Sequence, residues 1–267
     1  MTKTSNVLTA LVFVCWGLLI PNALAAKLQP ATQQAFEHYV QTAEARWQAG
    51  QDAGGKFLWV EETPDRMRSV RQGLVVVEPA SGNGEIAIPD GSIHDWIGAV
   101  FVPGVTIDKT LAVLQNYGNH KKIYPEVIDS RILEHQGNRY RVYLRLLKKK
   151  VLTVVLNTEH DVEYIPISRT RWRSRSYSTR IAEVRDPGTS TEREQPVGDD
   201  HGFLWRLYSY WEFEERDGGV FLECREISLT RDIPTGLGWL VQPIIRSLPR
   251  ESLTKTLEAT RGALLKK

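Results

Sequence analysis

The side chains that could do chemistry are few, and their spacing argues against most of it. The histidines are His38, His94, His120, His135, His160 and His201. None is followed two, three or four residues later by another histidine, and no H-E-x-x-H occurs, so no metal pair is expected. Asp199-Asp200-His201-Gly202 sets carboxylates beside an imidazole, the makings of an acid–base dyad. At the end of a polar loop the same residues read more simply as a turn with solvated charges. G-x-S-x-G, P-loop and dinucleotide fingerprints are absent, and Gly82-Asn83-Gly84 reads as a hairpin turn. His120 and Tyr124 could donate at a pocket mouth, although surface placement suits them better. No catalytic residue, metal or cofactor is assigned.

The most regular alternation runs from Ile165 to Val184. Arg169, Arg171, Arg173 and Arg175 fall on one face of a strand, and Thr170, Trp172, Ser174 and Ser176 on the other. The arginine face reads as a solvated sheet surface opposite Glu212 and Glu214. With Lys148-Lys149-Lys150 it also offers a weak contact for an anionic membrane surface. The opposite face is more informative. Ser174, Ser176 and Ser178 are small where a packed core would carry Val or Leu. If that face points inward, it leaves volume for a ligand against Trp172, Trp205 and Trp211.

The elements that must position these residues are mostly strands. Pro30 to Gly50 reads as a helix with Phe36, Tyr39, Val40, Ala43 and Trp47 on one side. Phe57–Val60, Gly73–Val77 and Glu85–Ile88 read as short strands, with a turn at Glu62-Thr63-Pro64-Asp65. A strand over 92–102 leads to a helix capped by Thr106. Strands follow over 127–135, 140–147 and 151–160, then the 165–184 stretch. After a polar loop, Phe203, Trp205, Leu207, Trp211 and Phe213 share one strand face. Val220, Leu222 and Cys224 form one apolar face of the last strand and Phe221, Ile227 and Leu229 another, so its inward side stays open. The closing helix carries Val241, Ile245 and Leu248 on one stripe and Leu253, Leu257, Thr260 and Leu264 on a second. Pro249 stands where the stripes fall out of phase, which predicts two segments.

The N-terminus reads as an export signal: Lys3, an uncharged run from Val7 to Ile20, Pro21, and Ala23-Leu24-Ala25 as the cleavage pattern. Residues 1–25 are then signal and 26–91 an extension. The expected location is the periplasm or the exterior. Cys15 would leave with the signal, so Cys224 could form no internal disulfide and reads as a small buried hydrophobe. The 267 residues are 42% hydrophobic and 25% charged, enough for one sizeable core. A net charge of +2 gives no ground for a nucleic-acid partner.

Val102-Pro103-Gly104-Val105, Tyr117-Gly118-Asn119-His120, Tyr124-Pro125-Glu126-Val127, Gly202-Phe203-Leu204-Trp205, Gly218-Gly219-Val220 and Leu248-Pro249-Arg250-Glu251-Ser252-Leu253 occur in an order that resembles the START/Bet v1-like (SRPBCC) superfamily, with its polyketide cyclase-like and coenzyme Q-binding members. The resemblance spans about Ser92 to Leu264. It implies an α+β helix-grip fold over 92–267, a curved antiparallel sheet wrapped around a long C-terminal helix, with the helix-and-strand extension in front. It also implies an internal pocket for a hydrophobic small molecule or lipid. The pocket residues assigned on strand faces are Trp172, Ser174, Ser176, Trp205, Leu207 and Trp211, with Trp239, Ile245 and Leu253 from the helix. The expected role is an exported binding protein. A cyclase- or hydrolase-like enzyme using the same cavity, and a cell-envelope assembly factor with a filled pocket, are the alternatives. Ligand identity and oligomeric state stay open.

Overall fold

The computed structural model describes residues 26–52, 56–149, 153–232 and 238–266, without the side chains of 49–52 and 238–246; the expected signal, residues 1–25, lies outside them. In chain order the elements are β1 (Ala26–Lys27), α1 (Pro30–Asp52), a 3-10 turn at Trp59–Glu62, α2 (Pro64–Arg71), β2 (Val76–Pro79), β3 (Glu85–Ile88) and β4 (Gly91–Pro103). Next come α3 (Ile107–Leu114), a 3-10 turn at Tyr117–Asn119, α4 (His120–Ile123), β5 (Val127–Gln136), β6 (Arg139–Lys149), β7 (Thr153–Pro166) and β8 (Arg171–Arg185). Two-residue strands β9 (Arg193–Glu194) and β10 (Asp199–Asp200) precede β11 (Arg206–Arg216), β12 (Gly219–Arg231) and α5 (Gly238–Leu265). The main sheet is antiparallel in the order β2-β4-β12-β11-β8-β7-β6-β5, with β3 also on β4.

Alternation decides what each face of this sheet meets. From β12, Val220, Leu222 and Cys224 point toward α5 and share a core with its Leu253, Leu257 and Leu264. Val100 and Val102 from β4 join that core, and so do Val142 and Val162 from the far strands β6 and β7. Strands from opposite parts of the sheet thus converge on one helix, which requires a curved sheet. Register shifts at Val127/Asp129, Ile132/Glu134 and Glu159/His160 supply local bends. Gly98 lets α5 close in: a Cβ there would stand 2.8 Å from Leu257 Cδ1 and 2.8 Å from Val77 Cγ2. Cys224 is fully buried on this inner face, and burial raises its thiol pKa well above the ordinary value.

The odd residues of β12 face outward, yet they are buried too. Ile227 and Leu229 pack with Ile93 under Phe36, Val40 and Ala43 of α1. Phe221 and Ala99 pack under Phe57, Leu58 and Val60. The ambiguous last strand is therefore apolar on both sides because it lies between two layers.

Several sequence expectations change here. Phe57–Val60 is not a strand; it leads into the 3-10 turn, which Glu61 closes by accepting from Leu58 N at 3.2 Å. Its apolar side chains are buried against the sheet without joining it. Pro64 stands at the start of α2, where its fixed φ suits a helix, so the expected turn there becomes an element. The 165–184 stretch is two strands, because Ile167 N and Ser168 N both reach Arg171 O and close a turn that holds Arg169. Last, α5 is one helix through Pro249. Proline removes one helical bond, but the apolar packing of the following turns outweighs it.

Of the arginine stripe only Arg173 is roofed over, while Arg169, Arg171 and Arg175 stay exposed as expected. Arg173 pairs with Glu212 at 3.0 Å and Arg171 with Glu214 at 2.7 Å, both carboxylates being nearly inaccessible. The guanidinium of Arg173 sits over Trp47 at 4.7 Å and Phe57 at 5.2 Å. Arg175 pairs with Glu163 at 2.7 Å.

Candidate functional site

Among the described residues, one cavity lies on the outer face of the sheet and another on its inner face. The outer one, about 520 Å³, lies beneath Trp47, Phe57 and Trp59 over Glu212, Glu223 and Arg225. Its polar groups are committed to holding the N-terminal segment down. Glu44 accepts from Tyr177 and Tyr210 at 2.6 and 2.8 Å, and Glu223 from Trp59 N and Val60 N at 3.0 and 3.3 Å. Arg225 grips the buried Asp95 through two bonds of 2.8 and 2.6 Å. Glu212 and Glu223 are direct cross-strand partners. Burial pushes Glu212 up to about 7 against the pull of Arg173, and burial together with Glu212 raises Glu223. Two adjacent buried carboxyls cannot both ionise cheaply, so the pair retains a proton.

The inner cavity, about 450 Å³, lies between the sheet and α5 and is chiefly apolar. Leu144, Leu146, Leu156 and Val162 line it from β6 and β7, Leu207, Trp211 and Phe213 from β11. Its polar residues fall in distinct groups. Tyr117 and Tyr164 bond to each other at 3.0 Å, and burial raises both phenols. His120 donates Nε2 to Leu114 O at 2.9 Å, yet burial pulls it down to about 4. His160 meets Thr158 at 3.0 Å and burial also takes it to about 4. Both are neutral imidazoles at pH 7. Lys148 bonds Glu126 and, at 2.5 Å, Ser252 of α5.

A third polar group crosses the floor. Ser176, Ser209 and Glu226 are consecutive cross-strand partners on β8, β11 and β12, and all three line the cavity. Burial pushes Glu226 up to about 7, with Lys148 pulling down and Glu126 pushing up. At the end formed by residues 201–204, His201 Nδ1 meets Glu183 at 2.5 Å, and Gln195 bridges the two.

Of the residues assigned from sequence, Ser174, Ser176, Leu207 and Trp211 line this cavity. Trp172 packs beside the inner core, and Leu253 is fully buried within it, both outside the lining. Trp205 lies on the other side, against Phe36 and Val40, with Nε1 donating to Asp200 at 3.1 Å. Because β11 begins only at Arg206, the two-residue alternation does not reach back to it. The side chains of Trp239 and Ile245 lie outside the described ones. Sequence reasoning missed Ser209, Glu226 and Ser228. The signal was there: extending the inward set Val220, Leu222, Cys224 by its own period of two reaches Glu226 and Ser228.

A strand, two short helices, six antiparallel strands and a closing helix, with the sheet curled onto that helix, make a specific order. The fold is an α+β helix grip. No protein-family profile matches the chain, and no curated protein matches it. Solved structures are similar to it in layout. The STAR-related lipid transfer protein (fragment 25–204) from Xanthomonas axonopodis aligns at a TM-score of 0.48 and 16% identity, over 73% of this chain and 99% of that one. TTHA0849 from Thermus thermophilus aligns at 0.46 and 14%, over 63% and 95%. The Zhui aromatase/cyclase from Streptomyces sp. R1128 aligns at 0.42 and 16%, over 64% and 92%. At such values the likenesses say nothing about ligand or reaction.

Proposed function

We propose that the protein is an exported carrier that holds a hydrophobic small molecule or lipid in the inner cavity. The carrying observation is a largely apolar space of about 450 Å³ kept open between sheet and α5. Small side chains at Ser174 and Ser176 maintain it, and Trp211 offers a rigid apolar wall. Affinity comes from burial of ligand surface, at about 25 cal/mol per Å² before the costs of association. The export signal over residues 1–25 accounts for the location.

Native mass spectrometry of the protein purified from an exporting host, followed by organic extraction, tests both parts. The expected result is a chain beginning at Ala26 with a stoichiometric apolar adduct that leaves on denaturation. A clean apo mass, with no uptake from a lipid mixture, would remove the carrier reading.

One observation favours the enzymatic alternative. The imidazole of His201, tied through Nδ1 to the buried Glu183, borders the same cavity. That is the arrangement of an oriented general base. It predicts turnover that His201→Ala abolishes while ligand uptake persists.

A further inference from the structure

The floor row of the inner cavity says what kind of ligand belongs there, given that the cavity takes an apolar one. Ser176, Ser209 and Glu226 stand side by side on three neighbouring strands, in a cavity whose surface is chiefly apolar. No hydrogen bond or ion pair joins these three side chains to any described residue. Glu226 is half-buried there, and a partly desolvated carboxyl without a partner is costly, so such groups persist where something supplies the missing bond.

The surrounding charges indicate the sign of that partner. Lys148 is the cation that acts on Glu226, and it is already bonded to Glu126 and Ser252. Lys255 leans to Glu126 as well, at 3.6 Å. His120 and His160 are held neutral by burial and bring no positive charge to the row. His94 is engaged with Thr230 of β12 at 3.1 Å. His201 is taken by Glu183 at the 201–204 end, where Arg231 also bonds back to His201 O at 3.3 Å, near Asp232. Glu226 is thus a carboxyl in a chiefly apolar cavity with no direct cation partner among the described residues. A carboxylate or phosphate headgroup there would meet like charge.

We infer that the ligand is a cationic amphiphile, an apolar body carrying one protonated amine, seated with its ammonium on Glu226 and the hydroxyls of Ser176 and Ser209. The ammonium has three donors, and the row offers three acceptors. Burial that keeps Glu226 near about 7 when empty fits this, because a bound ammonium would favour its ionised form.

Three ligands of one chain length separate the cases: dodecylamine, dodecan-1-ol and dodecanoate, each used below its micellar range to displace Nile red from the mature protein. At pH 8 the amine should bind about tenfold or more tighter than the alcohol, equivalent to about 1.4 kcal/mol, and dodecanoate weakest. At pH 5.5 Glu226 is protonated while the amine keeps its charge, so the ratio should shrink toward one. Glu226→Gln should remove the ratio at pH 8 and leave alcohol binding intact. Should that variant fold poorly, the wild-type pH series decides alone. Equal binding of amine and alcohol at pH 8, or tighter binding of dodecanoate, would overturn the amine inference and leave the carrier reading standing. Failure of Nile red and all three ligands to bind would overturn both.

Discussion

Ser174 and Ser176 stand on the inner face where Val or Leu would fill the space, and that difference in volume is part of what the cavity occupies. Ser176→Leu should therefore expel the ligand, seen as loss of the native-mass adduct. Its unfolding midpoint should stay level or rise, since the new side chain gains up to about 1.5–3 kcal/mol of burial. An unchanged adduct would place the ligand elsewhere. On the other face, Arg173 is the cation that makes an ionised Glu212 tolerable. Arg173→Ala leaves the carboxyl pair Glu212 and Glu223 buried without it and should cost about 3–5 kcal/mol at pH 8. At pH 5 Glu212 is protonated, no stranded charge remains, and the penalty should be markedly smaller. Denaturant titrations at the two pH values measure this; equal penalties would show that Arg173 acts through packing on Trp47 and Phe57 instead.

Among the elements, the segment in front of β4 is the one whose role the linear pattern left undefined. Its helix α1 was readable from Phe36, Val40 and Ala43, but not the surface it covers. The structure lays α1, the 3-10 turn and α2 across the outer face, away from the inner cavity, with Phe36 fully buried. Phe36→Ala should thus cost about 3–5 kcal/mol in denaturant titrations while ligand uptake persists in the folded fraction. Loss of uptake at unchanged stability would instead tie α1 to the ligand. On the inner face, α5 approaches β4 through Gly98, where an added Cβ would press Leu257 and Val77. Gly98→Val should push the helix outward and cost about 1–3 kcal/mol, seen as a lower unfolding midpoint. A neutral result would mean that α5 is free to shift.

At the scale of the whole molecule, buried titratable groups pull stability in opposite directions with pH. Glu212 and Glu226 rise from 4.5 to about 7, so the native chain holds protons that the unfolded chain releases. Their effect lowers stability as pH climbs from 4.5 to 7 and is complete above that. His120 and His160 fall from 6.5 to about 4, so the unfolded chain binds protons that the native chain refuses. Their stabilisation is fully present above pH 6.5 and is lost as pH falls toward 4. The two slopes offset each other between 4.5 and 6.5. Denaturation midpoints from pH 4 to 8 should show a broad maximum there, with decline on both sides. A midpoint that still rises from pH 6.5 to 8 would contradict the raised carboxyls.

The strands over 92–102, 127–135 and 140–147 and the closing apolar stripe could be read directly, because alternation and helical period are local properties of the chain. So could the shared face of Ser174 and Ser176 and that of Leu207 and Trp211, though not which way either pointed. The curl of the sheet onto α5, the second layer on its outer face and the loss of Trp205 to that layer were decided only by tertiary structure. Each depends on which residues far apart in sequence meet, and a period of two says that faces alternate without saying what covers either. Glu226 shows the difference most sharply. Its phase was present in Val220, Leu222 and Cys224, but only packing revealed that the apolar face it interrupts encloses a cavity.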